Sequence, residues 1–182
     1  MKKEIIERLS IPEGVEVEIN KHDIIVKFQG KEIRRSFSNR NITVTKKDNE
    51  IILESKKATK RELKNIGTSK AHIKNMFKGM KENFVYQLEA AYVHFPMTVE
   101  IDKANKIVII KNFLGEKKPR ICEIIPDANV SINKNIITVE SHNKETAGQM
   151  SANLEKATKV RNKDLRKFQD GIYITKKCGV PI

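Results

Sequence analysis

Two stretches lying half a chain apart are written almost alike, and this constrains the fold more than any local preference. Val17-Glu18-Ile19-Asn20-Lys21 returns as Val99-Glu100-Ile101-Asp102-Lys103. An apolar run reaching a glycine follows each, Ile24 to Gly30 and Ile107 to Gly115. Next come the alternating segments Ile42-Thr43-Val44-Thr45 and Val130-Ser131-Ile132-Asn133, then a polar turn. Another strand-like run ends in Glu-Ser in both copies, at Ser55 and Ser141, and a helix-like segment with an internal glycine, Gly67 or Gly148, closes each. A repeat on this scale means that each copy is a supersecondary unit with a hydrophobic face to cover. The expected order is five strands and a helix, twice over.

The expected class is α+β: two tandem duplicated units, 1–82 and 83–182, each with antiparallel sheet packed against one helix. Period-two alternation marks the strands, as in Val15, Val17 and Ile19, or Ile51 and Leu53. Gln29-Gly30 between apolar runs predicts a tight hairpin, because glycine takes positive φ without a steric penalty. Thr59-Lys60-Arg61-Glu62 has the spacing of a capping box and predicts a helix starting after Thr59. That helix has an expected apolar face of Leu63, Ile66, Ile73, Phe77 and Met80; in the second, Ala147, Met150, Leu154 and Ala157 recur at offsets of three and four. The stretch from Asn83 to Pro96, rich in aromatic residues, reads as an ordered connector packed against both units.

Charge is as unevenly distributed as the repeat is regular. Between Lys56 and Lys81 nine Lys/Arg face one acid, and between Lys156 and Lys177 eight face Asp164 and Asp170. These windows carry +8 and +6 of a net +13, so the rest of the chain is close to neutral. Such concentration suits a polyanionic partner. In the first window Lys70, Lys74, Lys78 and Lys81 form a stripe at helical spacing, which reads as a solvated outer face or a second basic patch, while a membrane-surface helix is weakened by apolar residues committed to a core. The second window has no clean period. It mixes Lys159, Arg161, Lys163, Arg166 and Lys167 with Asn162, Gln169 and Phe168 before a glycine turn, and Lys176 and Lys177 lie beyond. Cations for phosphates and amides for sugars or base edges fit folded RNA, with Phe168 as the anchor of the loop.

Catalytic patterns are missing from this reading. His22, His72, His94 and His142 stand without metal-ligand spacing, and Cys122 and Cys178 form no C-x-x-C pair. There is no Walker loop, no G-x-G-x-x-G and no G-x-S-x-G elbow. No apolar run approaches the ~20 residues of a membrane span, and the start of the chain lacks a secretory core. The expectation is an intracellular binding protein, not an enzyme, with no catalytic residues, metal, cofactor, small-molecule substrate or membrane partner.

Several segments together resemble a known family. Pro12-Glu13-Gly14-Val15, Gly67-Thr68 with His72-Ile73-Lys74-Asn75-Met76, Tyr92-Val93-His94-Phe95-Pro96, and Gly148-Gln149 with Phe168-Gln169-Asp170-Gly171-Ile172-Tyr173-Ile174 are similar to the large-subunit ribosomal protein family L-six. The last segment resembles its archaeal and eukaryotic branch, and the likeness runs from Ile11 to Lys177. The resemblance implies two duplicated units and a cytoplasmic place in the ribosome. It also implies docking on large-subunit rRNA near the factor-binding centre, the stalk base and the sarcin–ricin loop, beside neighbouring large-subunit ribosomal proteins. In such proteins the C-terminal unit supplies much of the RNA grip, which points here to Lys159, Arg161, Lys163, Arg166, Lys167 and Gln169, with Lys176 and Lys177 beyond.

The leading expectation is thus a structural rRNA-binding protein of the large subunit that supports translation. Two rivals remain open on the residues alone: a non-ribosomal regulatory module binding protein or RNA, and an RNA-processing enzyme.

Overall fold

A computed structural model describes residues 3–20, 23–37 and 41–182. His22, read above as an isolated histidine, and Lys21, the last residue of the first repeat motif, lie outside the described residues. The chain divides into two compact units, Met1–Glu82 and Asn83–Ile182.

In the first unit, β1 (Lys3–Ser10), β6 (Glu50–Ala58) and β5 (Thr43–Lys47) form an antiparallel sheet in the order β1-β6-β5. A second antiparallel sheet is the meander β2 (Glu16–Asn20), β3 (Asp23–Phe28) and β4 (Lys31–Ser36). Helix α1 (Lys60–Lys81) packs on β6, β1 and β3. The β3–β4 hairpin turns through Gln29 and Gly30, both at positive φ, as the sequence predicts. Asp48 does the same between β5 and β6.

The second unit repeats this plan. β7 (Phe84–Ala91), β12 (Ile136–Ser141) and β11 (Asn129–Asn133) take the places of β1, β6 and β5, while β8 (Thr98–Asp102), β9 (Ile107–Lys111) and β10 (Arg120–Glu123) form the meander. Helix α2 (Lys144–Ala157) packs on β12, β13 (Gly171–Lys177), β7 and β10. The addition is β13, which pairs with the other edge of β7 and continues into β14 (Val180–Pro181), giving the order β11-β12-β7-β13-β14.

Three expectations need correction. Six strands, not five, precede each helix among the described residues. The supposed connector is chiefly β7, the middle strand of the larger sheet, with Phe84, Tyr86, Leu88 and Ala90 turned inward at period two. Leu63 is 54% exposed, because α1 places Glu62, Ile66, Ser69, Ile73, Met76, Phe77 and Met80 on its inner face. Leu63 follows Glu62, which lies on the inner face with its carboxylate folded back on Thr59, and one helical step further round its own side chain is turned toward solvent.

The helix start itself follows the expected box: the Thr59 hydroxyl accepts from Arg61 N, and Thr59 N donates to Glu62 Oε2 at 2.9 Å. Each unit has its own apolar core, with Ile51, Leu53, Ile66 and Ile73 central in the first and Leu88, Ile137, Met150 and Leu154 central in the second. Burying each such side chain contributes roughly 1.5–3 kcal/mol.

Candidate nucleic-acid interface

Residues 158–170 join α2 to β13 and carry most of the second basic window. The loop is fastened at its start by two groups. Thr158 is buried; its Oγ1 accepts from Ile172 N at 2.8 Å and donates to Glu155 O at 3.3 Å. The Arg120 guanidinium donates from Nη1 to Ala157 O at 2.8 Å and Lys159 O at 3.2 Å, placing a cation at the carbonyl end of α2, where the helix dipole favours it. Its other edge grips Glu116 through Nη2–Oε1 at 2.6 Å and Nε–Oε2 at 2.8 Å, and its face lies over Phe113. The Arg120 hydrogen bond, against some opposing burial, holds the Glu116 carboxyl below its ordinary pKa.

At the far end the fastening is Asp170, only 2% exposed. Its carboxylate accepts from Val93 N and His94 N, both at 3.2 Å, and lies 3.1 Å from His94 Nδ1. Burial alone would raise this carboxyl; the hydrogen bonds from His94 and the two backbone amides outweigh it and hold the pKa below the usual carboxylate value. The His94 ring stacks on Phe168 at 5.0 Å between centroids, and Lys163 Nζ sits 4.6 Å from the centre of the Phe168 ring. Within the loop Asp164 Oδ1 accepts from Arg166 N, and Asp164 O accepts from Lys167 N and Phe168 N. Asn162 takes a positive φ, a conformation that Asn tolerates better than most residues.

Anchors and cations therefore divide the loop between them. Thr158, Val160, Phe168 and Asp170 turn inward, whereas Lys159, Arg161, Asn162, Lys163, Arg166, Lys167 and Gln169 are exposed. Arg166 Nε lies 3.4 Å from Asp164 Oδ1 but its side chain remains 92% exposed. Lys159, Arg161 and Lys167 have no ion pair among the described residues. A loop held this way presents cations with little ordering left to do on binding.

The other expected residues lie elsewhere. Lys176 and Lys177 are exposed at the opposite end of β13, roughly 20 Å of extended strand from Gly171. They do not join the loop in one cradle. In the first unit Lys70 is tied to Glu7 at 2.6 Å, leaving Lys74, Lys78 and Lys81 as the exposed members of that stripe. Two histidines read as isolated have partners: His94 with Asp170, and His72, whose Nε2 lies 3.0 Å from Arg35 Nη2. Sequence reasoning missed the anchors Arg120, Glu116, Thr158 and Asp170. For Asp170 a signal was available, since it is an acid inside a strongly basic stretch.

The sequence model of the family described as Ribosomal protein L6 matches residues 11–83 and 95–171, one match to each unit. The chain belongs to the ribosomal protein L6 family. Proteins similar to it over nearly their whole length carry the name large ribosomal subunit protein uL6. One from Methanobrevibacter smithii is 43% identical over 95% of this chain and 96% of its own. One from Staphylothermus marinus is 47% identical over 93% of each, and one from Methanothrix thermoacetophila 41% over 97% and 99%. This is the archaeal type of L6, and the family is a structural, non-enzymatic component of the cytoplasmic ribosome. Two matches in tandem agree with the duplication read from the sequence. The family match ends at Gly171, so it includes the loop and its Asp170 anchor but not the Lys176–Lys177 pair.

Proposed function

We propose that this L6-family chain docks on large-subunit rRNA through the 158–170 loop of its second unit, 83–182, and so helps hold the particle together for translation. The reading carries with it the neighbourhood that the resemblance implies: the factor-binding centre, the stalk base with its neighbouring proteins, and the sarcin–ricin loop. One observation carries it. Lys159, Arg161, Lys163, Arg166 and Lys167, with Asn162 and Gln169, are displayed on a loop pinned at both ends. Neutralising phosphates with a pre-shaped surface favours folded RNA over a duplex read by sequence, because the A-form major groove is too narrow for side chains. Lys176 and Lys177, and the exposed Lys74, Lys78 and Lys81 of the first unit's stripe, are secondary contacts in this scheme. Crosslinking within intact large subunits tests it. Adducts from the loop should map to rRNA in that neighbourhood, and adducts confined to protein neighbours would reject it.

A further inference from the structure

Beside the basic loop the second unit has an open cavity of about 420 Å³, within the usual range of small-ligand pockets. Val160 and Ile172 are buried residues of its lining, and Leu165, Phe168 and Tyr173 supply larger apolar surface. Leu165 is 63% exposed and Tyr173 43%, so two large side chains face water at this spot. The Tyr173 hydroxyl donates to Gln169 O at 3.0 Å, which fixes the ring against the loop, and a side chain at Gly171 would stand 3.3 Å from that ring. Lys156 and Lys159 lie on the same lining, with Glu155 the only acid among the lining residues.

An apolar slot with an aromatic wall, bordered by lysines, matches the two halves of a nucleotide: a flat base that leaves water and a phosphate that needs a cation. We infer that this slot receives a single unstacked nucleobase of the bound RNA, with Lys156 and Lys159 meeting the adjoining phosphates. The inference rests on the RNA-docking reading and adds a base contact to a surface otherwise made of phosphate contacts. Charge complementarity favours this occupant over a purely apolar protein side chain, which would leave Lys156 and Lys159 without an anionic partner.

The test compares two short probes on the full chain at low salt: an oligoadenylate containing 2-aminopurine, and an abasic ribose-phosphate oligomer of equal length. The expected results are a change in 2-aminopurine fluorescence on binding, as the base leaves the stack of its neighbours, and tighter binding of the base-containing probe. Leu165→Ser and Tyr173→Ala should each weaken that probe by roughly tenfold with an unchanged salt slope, leaving the abasic probe unaffected. Leu165→Ser guards against a folding artefact, because this exposed side chain supports no hydrogen bond. Equal binding of both probes by the wild-type chain, or unaltered affinity in both variants, overturns the inference. So does loss of a neighbouring ribosomal protein from reconstituted subunits as the sole effect of the variants. Failure of the wild-type chain to bind either probe in a salt-dependent way would instead reject RNA docking itself.

Discussion

The Asp170 carboxylate lies 3.1 Å from the His94 ring nitrogen although 76 positions separate the two residues. This contact, with the amides of Val93 and His94, ties the end of the basic loop to the turn after β7. Asp170→Asn retains the shape but removes the charge and replaces one of the two accepting oxygens with an NH2 that cannot accept from the facing N–H. The expected loss is about 1–3 kcal/mol near neutral pH. Because the folded-state carboxyl is held below its ordinary 3.8, its contribution is present above that value and fades as pH falls below it. Urea unfolding should therefore show a wild-type advantage at pH 7 that narrows in strong acid. An equal gap at both would mean that the charge is irrelevant.

Arg161, Lys163 and Arg166 point to solvent on a loop whose anchors are other residues. Reversing all three to Glu should weaken rRNA binding while the fold survives. Only Lys163 makes a ring contact, with Phe168, so the stability cost should stay near about 1 kcal/mol. Removing three phosphate contacts should also flatten the plot of log affinity against log salt by about 2. Filter binding across a salt series reads both. Undiminished affinity, or global unfolding of the variant, would show that these cations have another role.

What was legible in the sequence was what local physics writes. The Gln29-Gly30 hairpin, the Thr59–Glu62 box and the alternation of β2, β3 and β6 each depend on residues a few positions apart. β7 was equally legible in its pattern of Phe84, Tyr86, Leu88 and Ala90, yet it falls between the two most alike motifs and so passes for a connector. β1 is harder. Ile5 and Ile6 are adjacent, and Glu7 is turned toward Lys70 on α1, which blurs period two. The site divided in the same way. Its cations stand out as a run, but Arg120 and His94 reach it only through tertiary pairing, which no local pattern encodes.

Leu63 and Ile73 are both apolar positions of α1 with opposite surroundings: the first is 54% exposed and the second fully buried. Leu63→Lys should change stability by no more than about 0.5 kcal/mol, since Lys is nearly as good a helix former as Leu. Ile73→Ala should cost about 2–5 kcal/mol through lost burial and the cavity left behind. Comparable denaturation midpoints for the two variants would contradict the helix orientation.

The start of α1 should be the acid-sensitive point of the first unit. Hydrogen bonds from the Thr59 side chain and backbone, then from Asn41, lower the Glu62 carboxyl from 4.5 to about 2. A depressed carboxyl stabilises the fold at pH values above its unfolded pKa. That contribution begins to fade near pH 4.5 and is gone below about pH 2. Glu62→Gln keeps a side chain that can complete the box but removes the titration. Its urea midpoint should fall below wild type at pH 7 and converge with it at the acid end. Thr59→Ala, which removes the hydroxyl cap, should cost about 1 kcal/mol at neutral pH. Parallel pH profiles for wild type and Glu62→Gln would show that this carboxylate is not the acid-sensitive point of the first unit.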